Sequence, residues 1–176
     1  MSDENLDEEL SQMYEETLKR TKVLDASTFQ TPIRNVRLRK PVTVLPDQSV
    51  AEAIALMQQK ALGCVVVIEK DRLVGIFTER DVLMRIVGKR DPAAVRVKEV
   101  MAPNPEAFQP DDSIAFILNA MHVGGYRHVP VTDEHGRPLA VASVKDLVGF
   151  ILDNFPEDVL NLPPTPIRKT EQREGA

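Results

Sequence analysis

Leu73-Val74-Gly75-Ile76-Phe77-Thr78-Glu79-Arg80-Asp81 is an apolar run that ends in a hydroxyl residue with a carboxylate three positions on. The pattern returns, weakened, as Leu139-Ala140-Val141-Ala142-Ser143-Val144-Lys145-Asp146. A strand feeding straight into a helix would put Thr78 at the N-cap and Asp81 at the third helical position, with both side chains facing the open N–H groups of the first turn. Such a junction attracts anions, because those N–H groups and the helix dipole both favour negative charge.

Around that stretch the chain repeats itself. Pro41, Pro46, Asp47, Ser49, Ala51, Met57, Val65 and Val67 recur 64 residues later as Pro105, Pro110, Asp111, Ser113, Ala115, Met121, Val129 and Val131. One extra residue in the second hairpin, Asp133-Glu134-His135-Gly136 against Glu69-Lys70-Asp71, moves the offset to 65, and Arg72, Thr78 and Asp81 then align with Arg137, Ser143 and Asp146. Each copy has the same local order. Val42-Thr43-Val44 is a short extended piece, and Ser49 with Glu52 forms a capping box for a helix whose Val50, Ala53, Ile54 and Met57 share a face. Val65 to Ile68 and Leu73 to Phe77 read as strands, and the helix opened by Thr78 is expected to bury Val82, Leu83, Ile86 and Val87 up to Gly88. The second copy reads as helix Ser113 to His122, strands Arg127 to Thr132 and Pro138 to Ala142, and helix Val144 to Leu152.

The expected fold class is α+β: two pseudo-symmetric β-α-β-β-α repeats packed through their small sheets, with an extra N-terminal helix. Each repeat is too short for a stable core of its own, so a shared core is expected, densest at Cys64 to Ile68 and Val129 to Val131. The domain reading is 1–32 as an amphipathic helix (stripe Leu6, Leu10, Met13, Tyr14, Leu18) and connector, 33–90 as repeat one, 91–154 as repeat two, and 155–176 as a proline-containing tail expected to be disordered.

Composition narrows the function classes. The net charge of −5 argues against general nucleic-acid binding, although Arg34, Arg37, Arg39 and Lys40 form a local basic cluster that reads as a solvated edge, a cleft mouth or a contact to a nucleic-acid phosphate backbone. Cys64 is the only cysteine and sits in an apolar run, which excludes an intrachain disulfide and reads as core rather than nucleophile. His122, His128 and His135 lack a carboxylate at ligand spacing, so no zinc site is expected. With no apolar segment of spanning or signal-peptide length, no membrane association is expected and the location is expected to be cytoplasmic. No Ser-His or Cys-His arrangement and no repeated acid pair can be placed, so no enzyme activity is expected.

The repeated pattern of apolar strand, glycine, two residues, threonine or serine, two residues and aspartate resembles the paired CBS domains, or Bateman modules, over roughly residues 33 to 153. The second copy departs from it, with Ala140 in place of glycine and Ser143 in place of threonine. The resemblance implies a regulatory module with two clefts between the repeats, an adenine nucleotide (AMP, ADP or ATP) as ligand rather than a cofactor, and magnesium where that ligand is a polyphosphate. It also implies a homodimer and a regulated protein partner, and the expectation is of a stand-alone member of the family. By that match the first cleft would use Thr78 and Asp81 with the backbone around Thr43, Cys64 and Val65. The second would use Ser143 and Asp146 with Ala107, Arg127, His128, Val129 and Pro130.

The chemistry suits that ligand. One carboxylate accepts from both hydroxyls of a ribose diol, work for Asp81 or Asp146. Thr78 or Ser143 beside helix N–H groups can hold a phosphate oxygen, and Arg80 and Lys145 can reach over the phosphates. Arg127 and His128 are expected to make the second cleft the more basic one. Two alternatives stand beside this: the Thr78–Asp81 and Ser143–Asp146 pairs act only as helix caps, and the chain is a non-catalytic dimeric scaffold with empty clefts that presents its first helix or its tail to a partner.

Overall fold

In the computed structural model, residues 26–154 are described. The helix expected over residues 3 to 25 and the tail from 155 lie outside them. A four-residue helix, α1 (Ala26–Phe29), leads in. Repeat one then runs β1 (Thr43–Val44), α2 (Val50–Lys60), β2 (Cys64–Glu69), β3 (Arg72–Thr78) and α3 (Glu79–Asp81), which widens into a π-helical turn over Val82–Ile86. After β4 (Ala102–Pro103), repeat two runs α4 (Ile114–Gly124), β5 (His128–Thr132), β6 (Pro138–Ser143) and α5 (Val144–Asn154).

Local chemistry accounts for these boundaries. At the start of α2, Glu52 N donates to Ser49 Oγ at 3.2 Å and Ser49 N donates to Glu52 Oε2 at 2.9 Å, the expected reciprocal cap. Ser113 starts α4 without a side-chain cap bond, and its third position is Phe116, which has no oxygen to return. Lys70 and Asp71 both have positive φ, as a two-residue turn joining twisted antiparallel strands requires.

The strands form a sheet of order β1-β2-β3-β4 and a two-stranded β5-β6 sheet. In the first, Val44 pairs in parallel with Val67. The same pairing recurs in the second as a single bridge between Phe108 and Val131, 64 residues on. The repetition read from the sequence is therefore a repetition of register.

Two apolar clusters form instead of one shared core. Val44, Val50, Ala53, Met57, Val65, Val67, Phe77 and Ile86 build the first, and Ile114, Ile117, Val129, Val131, Ala142 and Leu147 build the second. Each is completed by residues from the segment that precedes the other repeat: Val97 and Val100 enter the first, Ile33 and Val36 the second. The backbone bonds obey the same symmetry. Ile33 N donates to Asp112 O at 2.8 Å and Arg34 N to Pro110 O at 2.9 Å, while Val97 N donates to Gln48 O and Lys98 N to Pro46 O, both at 3.0 Å. The ion pairs Arg34–Asp111 and Lys98–Asp47 continue it. This crossing lets each small repeat bury more apolar surface than its own residues allow.

Val65 and Val67 face the first cluster, while Cys64, Val66 and Ile76 are buried outside it, on the opposite face of the sheet. Leu83 and Val87, expected in the core, are 64% and 58% exposed, and the matching Val148 is 48% exposed. The last helical segment of each repeat is apolar on two sides, and only the side carrying Ile86 or Leu147 turns inward.

Candidate functional site

Each strand-to-helix junction forms the box its sequence specifies. Thr78 N and Thr78 Oγ1 donate to Asp81 Oδ2 at 2.9 and 2.7 Å, and Asp81 N donates back to Thr78 Oγ1 at 3.4 Å. Ser143 N and Ser143 Oγ donate to Asp146 Oδ2 at 2.8 and 2.6 Å, with Asp146 N donating to Ser143 Oγ at 3.3 Å. In each pair one carboxylate oxygen is spent on the cap. The first helical N–H is also taken: Glu79 N donates to Gly63 O at 3.0 Å, and Val144 N to Arg127 O at 3.2 Å. Anion attraction therefore falls more on side-chain cations than on open helix N–H groups.

The remaining oxygens differ. Asp81 Oδ1 lies 3.5 Å from Arg85 Nε, and Arg85 is itself anchored by Nη1 donation to Val100 O at 2.6 Å. Position 150, which matches Arg85, is Phe150. No partner for Asp146 Oδ1 occurs among the described residues, so it keeps acceptor capacity for a ligand hydroxyl.

Two cavities flank these boxes. The first cleft, about 510 Å³, holds Thr78, Glu79, Arg80 and Asp81 together with Asn104, Glu106, Tyr126, Arg127 and His128. The second, about 370 Å³, holds Ser143, Lys145 and Asp146 together with Arg39, Lys40, Val42, Leu62, Cys64, Arg127 and His128. Both are of a size that small-molecule sites occupy.

The sequence reading joined each box to the first strand and hairpin of its own repeat, and the structure corrects this. Thr78 and Asp81 meet residues around Glu106, whereas Ser143 and Asp146 meet residues around Val42 and Cys64. The reason is the crossing of the flanking segments: Arg39 bridges to Val141 beside β6, and Ala102 pairs with Ile76 in β3. Arg127 and His128, assigned to the second cleft alone, border both with Gly63. Val65 and Val129 belong to the two cores and Pro130 is fully buried, so none of the three lines a wall; Thr43 and Ala107 adjoin wall residues without lining one. Sequence reasoning missed Glu79, Asn104 and Tyr126. It left Arg39 and Lys40 undecided, though their place just before the repeated Pro41 was the available signal.

His128 is the common wall. A β-carbon on Gly63 would come 2.8 Å from His128 Cε1, so only glycine admits the ring there. Burial pushes its pKa down, the carboxylates of Glu79 and Asp146 push back up, and Arg127 adds to the lowering. Burial, reinforced by the charge of Glu79, raises the Cys64 thiol to about 12, leaving it an inert apolar wall. Arg80 Nη1 donates across the first cleft to Gly125 O at 3.3 Å. Among the described residues no group of three or more His, Cys, Asp or Glu side chains could hold a metal, and no helix is long and apolar enough to cross a membrane.

Comparison with known proteins agrees with this architecture. The CBS domain profile matches residues 33–88 and 97–153. A CBS domain-containing protein of Arabidopsis thaliana is 40% identical over 106 residues, covering 60% of this chain, and the match spans 20% of that relative's length. The solved structure of a putative signal-transduction protein with CBS domains from Burkholderia ambifaria is similar with a TM-score of 0.59 and 30% identity, covering 74% of this chain and 90% of the other. The CBS domain pair of protein MJ0100, solved with 5′-methylthioadenosine and S-adenosyl-L-methionine, shares the fold at a TM-score of 0.61 and 20% identity, over 69% of this chain and 99% of the other.

Proposed function

The chain belongs to the CBS domain family of regulatory, non-catalytic modules, and from that premise we propose that it senses an adenine nucleotide of the AMP, ADP or ATP class. The second cleft carries the proposal. There Asp146, held in place by Ser143, has an uncommitted oxygen for a ribose diol, and Arg39, Lys40, Arg127 and Lys145 line the same cavity as phosphate partners beside the apolar wall of Val42, Leu62 and Cys64. Magnesium accompanies ADP or ATP as part of the ligand, since the described residues offer no metal cluster of their own. The adenosine-derived ligands of the MJ0100 domain pair lend support to the ligand class.

Assembly is part of the same reading. Leu83 and Val87 lie exposed beside Ile54 and Met57 in an open groove, and Val148 repeats the exposure in the second repeat. A homodimer that covers these apolar faces gives the module a surface whose geometry the nucleotide can alter, and through it a regulated partner protein.

Calorimetric titration of the ligand-free full chain with AMP, ADP and ATP tests the proposal. Saturable heat is expected for at least one of them, and Asp146→Ala should weaken it about tenfold or more by removing a charged acceptor. The same change should cost the fold only a cap, about 0.5–2 kcal/mol. Absence of heat for all three nucleotides rejects the proposal, and undiminished binding by the variant puts the ribose elsewhere.

A further inference from the structure

The two clefts share a wall but differ in charge. Facing the second are Arg39, Lys40, Arg127 and Lys145 against the single carboxylate of Asp146. Facing the first are Glu79, Asp81 and Glu106 against Arg80 and Arg127. Arg127 counts in both, so the contrast lies in the other residues. The first cleft's own cation is tethered at one nitrogen, since Arg80 Nη1 donates across it to the Gly125 carbonyl at 3.3 Å. In the second cleft the matching Lys145 has no such anchor among the described residues.

We propose that the clefts sort adenine ligands by charge, the second taking the nucleotide and the first taking an adenine nucleoside that carries no phosphate, neutral or cationic. This rests on the adenine reading of the second cleft and extends it to a second ligand class. Phosphate oxygens entering the first cleft would face the carboxylates of Glu79 and Glu106, which no cation pairs among the described residues, while Asp81 is held by its cap and by Arg85; that repulsion is strengthened where the walls exclude water. A nucleoside without phosphate brings no such penalty. The first cleft is the larger of the two, and of the wall residues only it has an aromatic ring besides the shared His128: Tyr126, whose ring lies so close over Gly124 that a β-carbon there would come 2.2 Å from Cε2. With one side of the ring against Gly124, the rest of it is wall surface of a kind that purines stack on.

The residues that set the preference are therefore Glu79 and Glu106 on one side and Arg39, Lys40 and Lys145 on the other. Because Gly63, Arg127 and His128 border both cavities, the two ligands would bind against shared wall residues, and occupation of one cleft would be felt in the other.

Calorimetry on the full chain separates the cases. ATP should bind once per chain, and adenosine added to ATP-saturated protein should bind once more. Glu79→Gln with Glu106→Gln should raise the ATP count to two, while Arg39→Ala with Lys145→Ala should weaken the single ATP by about tenfold or more and leave one adenosine site at its original affinity. Two ATP molecules on the unaltered chain, or failure of adenosine to add to the ATP-saturated protein, overturns charge sorting and leaves the nucleotide reading standing. Failure of AMP, ADP, ATP and adenosine all to bind overturns the nucleotide reading and the sorting together. The unaltered chain decides these outcomes even where a variant does not fold.

Discussion

His128 sits where two cavities and two carboxylates meet, with Glu79 and Asp146 drawing its proton on and burial keeping it off. Burial is the larger influence, so the folded chain binds that proton less tightly than the unfolded chain, whose histidine titrates near 6.5. The sign of the linkage follows: the unfolded state takes up more protons as pH falls through that value, so stability present above pH 6.5 is lost on acidification until the folded histidine also titrates. A falling thermal midpoint between about pH 8 and 5.5 is expected, and His128→Gln should flatten it. An unchanged slope in that variant would assign the effect to other groups. At this scale the cap residues were legible, because Thr78 with Asp81 and Ser143 with Asp146 act within four residues of each other. The position of His128 between the clefts was not, since it depends on Gly63 of the other repeat leaving room for the ring.

Strands and helices followed from local pattern, and the Ser49–Glu52 box starts α2 where its spacing places it. What local pattern missed is that short segments cross between repeats. Residues 26 to 35 look like a connector because Thr31-Pro32 rules out a continuous helix, yet Ile33 is 1% exposed in the second core and its amide bonds to Asp112. The available signal was the match of Ile33 and Val36 with Val97 and Val100 at the same 64-residue offset. Repetition alone says that two segments play one role. It does not say which repeat receives which segment, because the contact is made some eighty positions away. Ile33→Ala should therefore lower the unfolding free energy by about 2–5 kcal/mol in denaturant titration, as a core truncation does. A change below about 0.5 kcal/mol would mark it as the surface connector that its local sequence suggests. The crossing also explains the exchanged cleft walls, since Arg39 and Lys40 follow the first crossing segment into the neighbourhood of Ser143.

Over the whole molecule, duplication was the legible fact and its consequence the less legible one. Two copies of about sixty residues each need apolar surface from elsewhere, and exchange of flanking segments supplies part of it. Leu83, Val87 and Val148 stay open, which local periodicity could not foretell, because a helical stripe shows that a face is apolar without naming what covers it. Pairing of chains through these faces and binding of a nucleotide between repeats make one account of a regulatory module. Native mass spectrometry of the full chain, recorded before and after addition of ATP, reads both parts at once. The account predicts a species of two chains that gains the mass of bound ATP, whereas a lone chain whose mass does not change with ATP would contradict it.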